Sequence, residues 1–258
     1  LELSAHLKQI QKETLSKLCP ELLKKVTWLD SLPQDNSFSG IILANEVIDA
    51  GGKYILPGCI DPHAHLQRAY YTMEENIKSE TRHAAVGGIT TMVPMTFLRG
   101  EGMRPFADVY KEARPIVEDV ATIDMGFTFM VATPGHVGEF EKCVYEYGVT
   151  SFKMFMAYSG AEAAFFGVEK IDDGLIIHAM ETSRDIGPPC LPTIHTENMD
   201  IVYWHKEKLM KAGRKDLRAW SEARPDYAEE ETLRRAIYFA EITKAPIYIV
   251  HVSIGNGV

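Results

Sequence analysis

Pro57-Gly58-Cys59-Ile60-Asp61-Pro62-His63-Ala64-His65-Leu66 is the run on which the reading of this chain turns. Pro57-Gly58 reads as a strand entrance, and a β-strand sends residues i and i+2 to one face. His63 and His65 therefore aim two imidazoles at a common point. Imidazole is the commonest nitrogen ligand of zinc and related metals. A half-buried strand without metal carries the same pattern, so the pair alone leaves both readings open.

Downstream of this run, strand and helix patterns alternate. Strands are predicted at 59–65, 90–95, 123–131, 150–158, 190–197 and 246–253, with helices at 74–86, 103–120, 136–147, 171–186, 199–213 and 226–244. Gly87-Gly88 and Gly148 stand where helix C-caps belong. On the last helix, Leu233, Ala236, Ile237 and Ala240 predict a core-facing stripe, with Glu229, Glu230, Glu231, Arg234 and Arg235 toward water. Repeated βα units imply a parallel sheet under helices, either a barrel or a doubly wound sheet. The 258 residues suffice for one (β/α)8 barrel of about 250 residues and little more.

Upstream the pattern differs. Residues 1–30 are helix-like, with Leu3, Ile10, Leu15, Leu18, Leu22 and Leu23 near helical spacing and Pro20 interrupting. Residues 31–45 are loop-rich with a short strand candidate at 41–43, and 46–56 reads as a hairpin about Ala50-Gly51-Gly52. The expected division is therefore 1–45, a helical and loop segment with no assigned chemistry, then 46–56, the hairpin, then 57–258, the βα units.

At 46% hydrophobic and 24% charged residues the composition is that of a soluble globular protein. The net charge of -9 argues against a nucleic-acid partner. No apolar run approaches the roughly 20 residues of a membrane span, and no signal-peptide core is visible. Cys19, Cys59, Cys143 and Cys190 show no C-x-x-C pairing. The expectation is a reduced, cytoplasmic protein whose cysteines are packing residues.

Later strands carry further metal-competent groups. Lys153 sits within Ser151-Phe152-Lys153-Met154-Phe155-Met156, where burying an ammonium is unfavourable unless it is paired or neutral. A desolvated neutral lysine can take up CO2 as a carbamate able to bridge two cations. The simpler alternative is a head group that snorkels to the strand end. His195 and His251 lie near the ends of the fifth and sixth predicted strands. Each alone is as readily a hydrogen-bonded core histidine. Together, four histidines and one lysine fall at the C-terminal ends of strands, where barrel enzymes place their active sites. His6, His83, His136, His178 and His205 fall elsewhere and read as surface or helix residues.

The run 57–66, then Gly87-Gly88-Ile89-Thr90-Thr91, the lysine strand through Tyr158, His195-Thr196-Glu197-Asn198 and His251-Val252-Ser253 resemble the hydantoinase/dihydropyrimidinase branch of the amidohydrolase superfamily. The resemblance covers residues 46–258. It implies an α/β fold, the (β/α)8 TIM-type barrel, with six of eight strands present and a remnant of a small β-sandwich near 41–56. It further implies two divalent metal ions, zinc fitting best, with His63 and His65 on the more buried ion and His195 and His251 on the more exposed one. Lys153, as its CO2-derived carbamate, would bridge them. Tyr158 would bind substrate and stabilise the tetrahedral oxyanion. Asp61, Glu197 and Asn198 would orient the histidines from behind.

The activity so implied is opening of a cyclic amide, a dihydropyrimidine or hydantoin, by a metal-bridging hydroxide to give an N-carbamoyl amino acid. A homotetramer is expected. Alternatives are a non-catalytic dihydropyrimidinase-like scaffold, or a dihydroorotase or allantoinase. Two departures stand out. The family's metal-binding aspartate on an eighth strand has no counterpart before Val258, so the chain is expected to be C-terminally incomplete. The segment 160–170, with Phe165-Phe166, reads as an insertion beside the substrate pocket or as a surface loop.

Overall fold

A computed structural model describes residues 40–42, 47–49, 56–66, 71–96, 104–157, 164 and 171–257. The chain divides into two compact units, Leu1–Pro57 and Gly58–Val258. In the first, β1 (Gly40–Ile42) pairs antiparallel with β2 (Val47–Asp49), Ile41 opposite Ile48. The predicted hairpin at 46–56 thus contributes its first strand to a ribbon with 40–42. Its turn and most of its second strand lie outside the described residues, as does the predicted helical segment 1–30.

The second unit is built of βα repeats. Its strands are β3 (Cys59–His65), β4 (Ile89–Thr96), β5 (Asp124–Met125), β6 (Thr128–Met130), β7 (Ser151–Met156), β8 (Leu191–Thr196) and β9 (Tyr248–Ile249). All pair in parallel in the order β3-β4-β6-β7-β8-β9, with β5 beside the first half of β4. The helices are α1 (Met73–Val86), α2 (Phe106–Val120), α3 (Pro134–Val137), α4 (Phe140–Tyr147), α5 (Asp173–Ile186), α6 (Met199–Lys211), α7 (Leu217–Glu222) and α8 (Asp226–Thr243). This is the parallel α/β architecture of a TIM-type barrel, six strand positions of it.

Local chemistry starts and stops these helices. Thr72 and Glu75 form a reciprocal capping box on α1, and Asp172, Asn198 and Asp216 cap α5, α6 and α7. Gly148 ends α4 at φ +68°, backbone that a Cβ disfavours. Pro105 gives α2 no side-chain cap; instead Glu139 accepts the N–H groups of Phe106 and Ala107, each at 3.0 Å.

Four expectations are corrected. The strand at 123–131 is broken: the Gly126 N–H donates to Met92 O (2.9 Å) between β5 and β6, so each half meets β4 separately. The last strand is two residues long, because His251 turns to φ +42° and leaves the extended region. The buried stripe of α8 is Ala228, Thr232, Leu233, Ala236, Phe239 and Thr243, while Ile237 is 42% exposed. Its two threonines are tolerated there because their hydroxyls donate to Ala228 O and Phe239 O. Cys143 and Cys190 are buried packing residues, yet Cys59 is exposed.

All six residues of β7 are buried, which makes it the centre of the sheet. Phe152 stacks on Phe140 of α4, ring centroids 3.8 Å apart, so even-numbered β7 residues face the helix layer. Period two then turns Lys153 and Phe155 to the opposite face. Among the described residues no helix is long and apolar enough to cross a membrane.

Candidate metal centre

Lys153 is 0% exposed, and among the described residues no carboxylate lies within ion-pair distance of it. Its Nζ is 3.1 Å from Nε2 of His63 and 4.9 Å from the Phe155 ring centroid. Burial pushes the Lys153 amine down to about 7, so at neutral pH a large fraction carries no proton.

β3 brings His63 and His65 to this point. Its pairing with β4 shifts register between Asp61 and Ala64, and Asp61 Oδ1 accepts the His63 N–H (3.1 Å) in place of a ladder bond. The two rings meet edge to face with centroids 5.0 Å apart. Across the sheet, register sets Phe155 beside His195, and the turn after β9 delivers His251. His195 Nδ1 and His251 Nε2 are 3.1 Å apart, and the His63 and His251 centroids are 5.7 Å apart. The four imidazoles and Lys153 thus converge on one end of the sheet.

Burial holds His63, His65 and His251 toward the neutral form. Burial, then the nearby Lys153 charge, takes His63 down to about 3 and His65 to about 4. Burial, then His195 and Lys153, lowers His251 as well. A neutral imidazole offers a cation a lone pair, whereas a protonated ring offers none and repels it. Zinc–nitrogen distances of about 2.0–2.1 Å at a tetrahedral angle put two ligating nitrogens about 3.4 Å apart. The 3.1 Å contact between His195 Nδ1 and His251 Nε2 approaches that spacing. His63 Nδ1 is a buried nitrogen with no hydrogen-bond partner among the described residues. Among the described residues no three His, Cys, Asp or Glu side chains form a ligand cluster.

Glu197 Oε2 lies 3.7 Å from His195 Nε2, and His195 followed by Arg224 hold its carboxyl below the usual range while burial opposes them. Asn198 serves the backbone: its Oδ1 accepts the Ile201 N–H (3.3 Å), and its Nδ2 donates to Glu231 (2.7 Å). Tyr158 and nearly all of 160–170 lie outside the described residues. His136 departs from the surface reading. It is a buried helix residue that accepts the Ala132 N–H at Nδ1 (3.1 Å) and bonds Arg104 O through Nε2 (2.9 Å). Sequence reasoning passed over Arg224 and read Glu229 as facing water, whereas Arg224 pairs with Glu197 beside His195 and Glu229 bonds Ser253 beyond His251; no spacing rule links either to a histidine.

Comparison with known proteins finds relatives of this sequence and fold. An amidohydrolase family profile matches residues 46–96, and a profile of S-adenosyl-L-methionine-dependent methyltransferases matches residues 1–51. The D-hydantoinase of Geobacillus stearothermophilus is 32% identical over 218 residues, covering 83% of this chain and 44% of that protein. The D-hydantoinase of Streptomyces coelicolor is 35% identical over 215 residues, covering 81% of this chain and 43% of that protein. The crystal structure of dihydropyrimidinase from Brevibacillus agri superposes with a TM-score of 0.70 at 30% identity, covering 88% of this chain and 46% of that one. The chain thus spans somewhat less than half the length of the relatives it matches. On sequence and fold, the chain is related to the hydantoinase/dihydropyrimidinase branch of the amidohydrolase superfamily.

Proposed function

We propose that this chain carries the metal-holding part of a hydrolase that opens cyclic amides, dihydropyrimidines or hydantoins, to N-carbamoyl amino acids. The observation that supports this best is Lys153: an amine shut away from water, without a carboxylate partner among the described residues, whose Nζ lies 3.1 Å from Nε2 of His63. A neutral amine adds to CO2. Its lone pair forms the N–C bond, one N–H proton leaves to water, and a carbamate anion remains. That change puts a negative charge in place of a buried neutral amine, facing the imidazoles.

His63 and His65 would hold one divalent ion, His195 and His251 a second, with the Lys153 carbamate between them. Nitrogen and oxygen donors suit zinc, and manganese, cobalt or iron fit the same set. When bound, such ions supply a Lewis acid for the ring carbonyl and a nucleophile available at neutral pH. The remaining work falls to this chain's side chains. Tyr158 would donate its phenolic hydrogen bond to the substrate carbonyl oxygen as negative charge grows there. Asp61 fixes the backbone that aims His63, and Glu197 backs His195 from the side away from His251. A cytoplasmic homotetramer is part of the same reading.

Metal analysis joined to carbon-13 NMR tests it. Protein prepared with zinc and labelled bicarbonate is expected to bind about two ions and to show one carbamate resonance. Lys153→Ala abolishes the resonance and the metal, and a short carboxylic acid restores part of the metal binding without the resonance. Unchanged metal content in Lys153→Ala would rule the reading out. A panel of dihydrouracil, hydantoin, allantoin and dihydroorotate then separates the substrate classes, and two bound ions with no substrate opened would favour the scaffold reading.

A further inference from the structure

We infer that the corner between α7 and α8, residues 224–231, is the positioning element for His195 and His251, acting through Arg224 and Glu229. The inference rests on the metal-centre reading above and assigns a role to residues that reading leaves idle. Arg224 packs its guanidinium 4.2 Å from the Trp220 ring centroid and sets Nε 3.2 Å from Oε1 of Glu197. The other carboxylate oxygen, Oε2, stands 3.7 Å from Nε2 of His195. Glu197 is therefore drawn between a guanidinium and an imidazole. A carboxylate beside Nε2 favours the proton on that nitrogen and leaves the Nδ1 lone pair for a cation. Nδ1 is the nitrogen that faces His251, at 3.1 Å.

Within the first turns of α8, Glu229 does the corresponding work for the next strand end. Its Oε1 accepts the Ser253 N–H at 2.9 Å and its Oε2 accepts the Ser253 hydroxyl. Those bonds hold the segment in which His251 takes φ +42°, backbone that a non-glycine residue keeps only when its surroundings enforce it. Between the two, Ala228 O accepts the Asn198 N–H at 2.8 Å and Glu231 Oε2 accepts from Asn198 Nδ2 at 2.7 Å. One short corner thus grips the ends of both β8 and β9. The distance it fixes is the one between the two nitrogens that would share an ion.

Zinc titration calorimetry of the whole chain and four variants tests the inference. His195→Asn identifies which of two binding steps belongs to the outer pair. Arg224→Met keeps the apolar stem against Trp220 and removes the charge, and it should weaken that step by about 10–100-fold while the other step stays unchanged. Arg224→Lys should recover most of the loss, and Glu229→Ala should weaken the same step. An outer step unaffected in Arg224→Met, or both steps falling together, would overturn the inference. A second readout needs no metal. Long-range proton–nitrogen NMR should show His195 protonated on Nε2 in the native chain and as mixed tautomers in Arg224→Met; identical tautomers would also overturn it. If the native chain binds no zinc, the metal-centre reading fails, and the tautomer comparison still decides the role of Arg224.

Discussion

Lys153 sets the terms for its surroundings, because a primary amine with no exposed surface sits among imidazoles. Replacing a buried charged group by an apolar one of similar volume is often stabilising. Lys153→Met should therefore stabilise the metal-free chain by about 1–4 kcal/mol in urea denaturation at pH 7 while eliminating metal binding. The same site fixes a pH dependence. His63 and His65 bind protons more weakly folded, at about 3 and about 4, than the ordinary histidine value of 6.5. Between those limits the unfolded chain holds more protons, so metal-free stability falls as pH drops from 6.5 toward 3. Lys153, lowered from 10.5 to about 7, works in the same direction at higher pH, so its contribution raises stability as pH climbs from 7 to 10.5. Denaturation midpoints across pH 3–10.5 check both limbs, and a midpoint flat below 6.5 would contradict the first. At this scale the sequence was legible where chemistry is conspicuous: a lysine in an apolar strand and a His-x-His pair. Arg224 and Glu229 stayed hidden because each meets its partner only through the folded corner, 27 and 24 residues away in sequence.

β3 carries two imidazoles and must lie close against β4 to place them. Gly58 makes that possible: a Cβ there would stand 2.0 Å from Thr90 Oγ1 and 2.7 Å from Thr90 Cβ. A short β-branched side chain cannot yield that much space, so Gly58→Ala should move β3 off β4. The expected loss is about 1–3 kcal/mol by thermal denaturation, as for overpacked cores, with weaker zinc binding alongside. Wild-type stability in Gly58→Ala would show that the strand end yields freely. Helices at 74–86 and 171–186 were readable because caps and apolar spacing agree there, as at Thr72 and Asp172. The break at Gly126, the brevity of β9 and the helix α7 were not. The first two depend on backbone bonding that spacing does not report, and α7 is a six-residue helix held by Arg214 bridging Asp216 and Glu222. The α2 cap from Glu139 is the same lesson, since a residue 33 positions away replaces the local one.

The second unit gathers its candidate ligands at the C-terminal ends of neighbouring strands, where parallel-barrel proteins place their sites. Among the described residues β3 pairs only with β4, and β9 only with β8. Cations held by β3, β7, β8 and the turn after β9 would tie both ends of that sheet to its centre. Ligand linkage then predicts stabilisation of about 2.7 kcal/mol when free zinc exceeds its dissociation constant a hundredfold. Thermal melts with and without zinc, and after chelation, check this; a melting temperature indifferent to zinc would count against it. The repeated βα pattern made the architecture readable from residue 57 onward, since periodicity reports which faces are buried. Residues 1–51 carried no such signal, and their match to a methyltransferase profile came only from comparison.

The central claim is that Lys153 and four imidazoles share two cations. Anomalous scattering at the zinc edge from crystals of the zinc-loaded chain measures it directly. The account predicts two peaks, one bounded by His63, His65 and a carbamylated Lys153, the other by the same carbamate, His195 and His251. An unmodified Lys153 with no anomalous peak among these five side chains would contradict it.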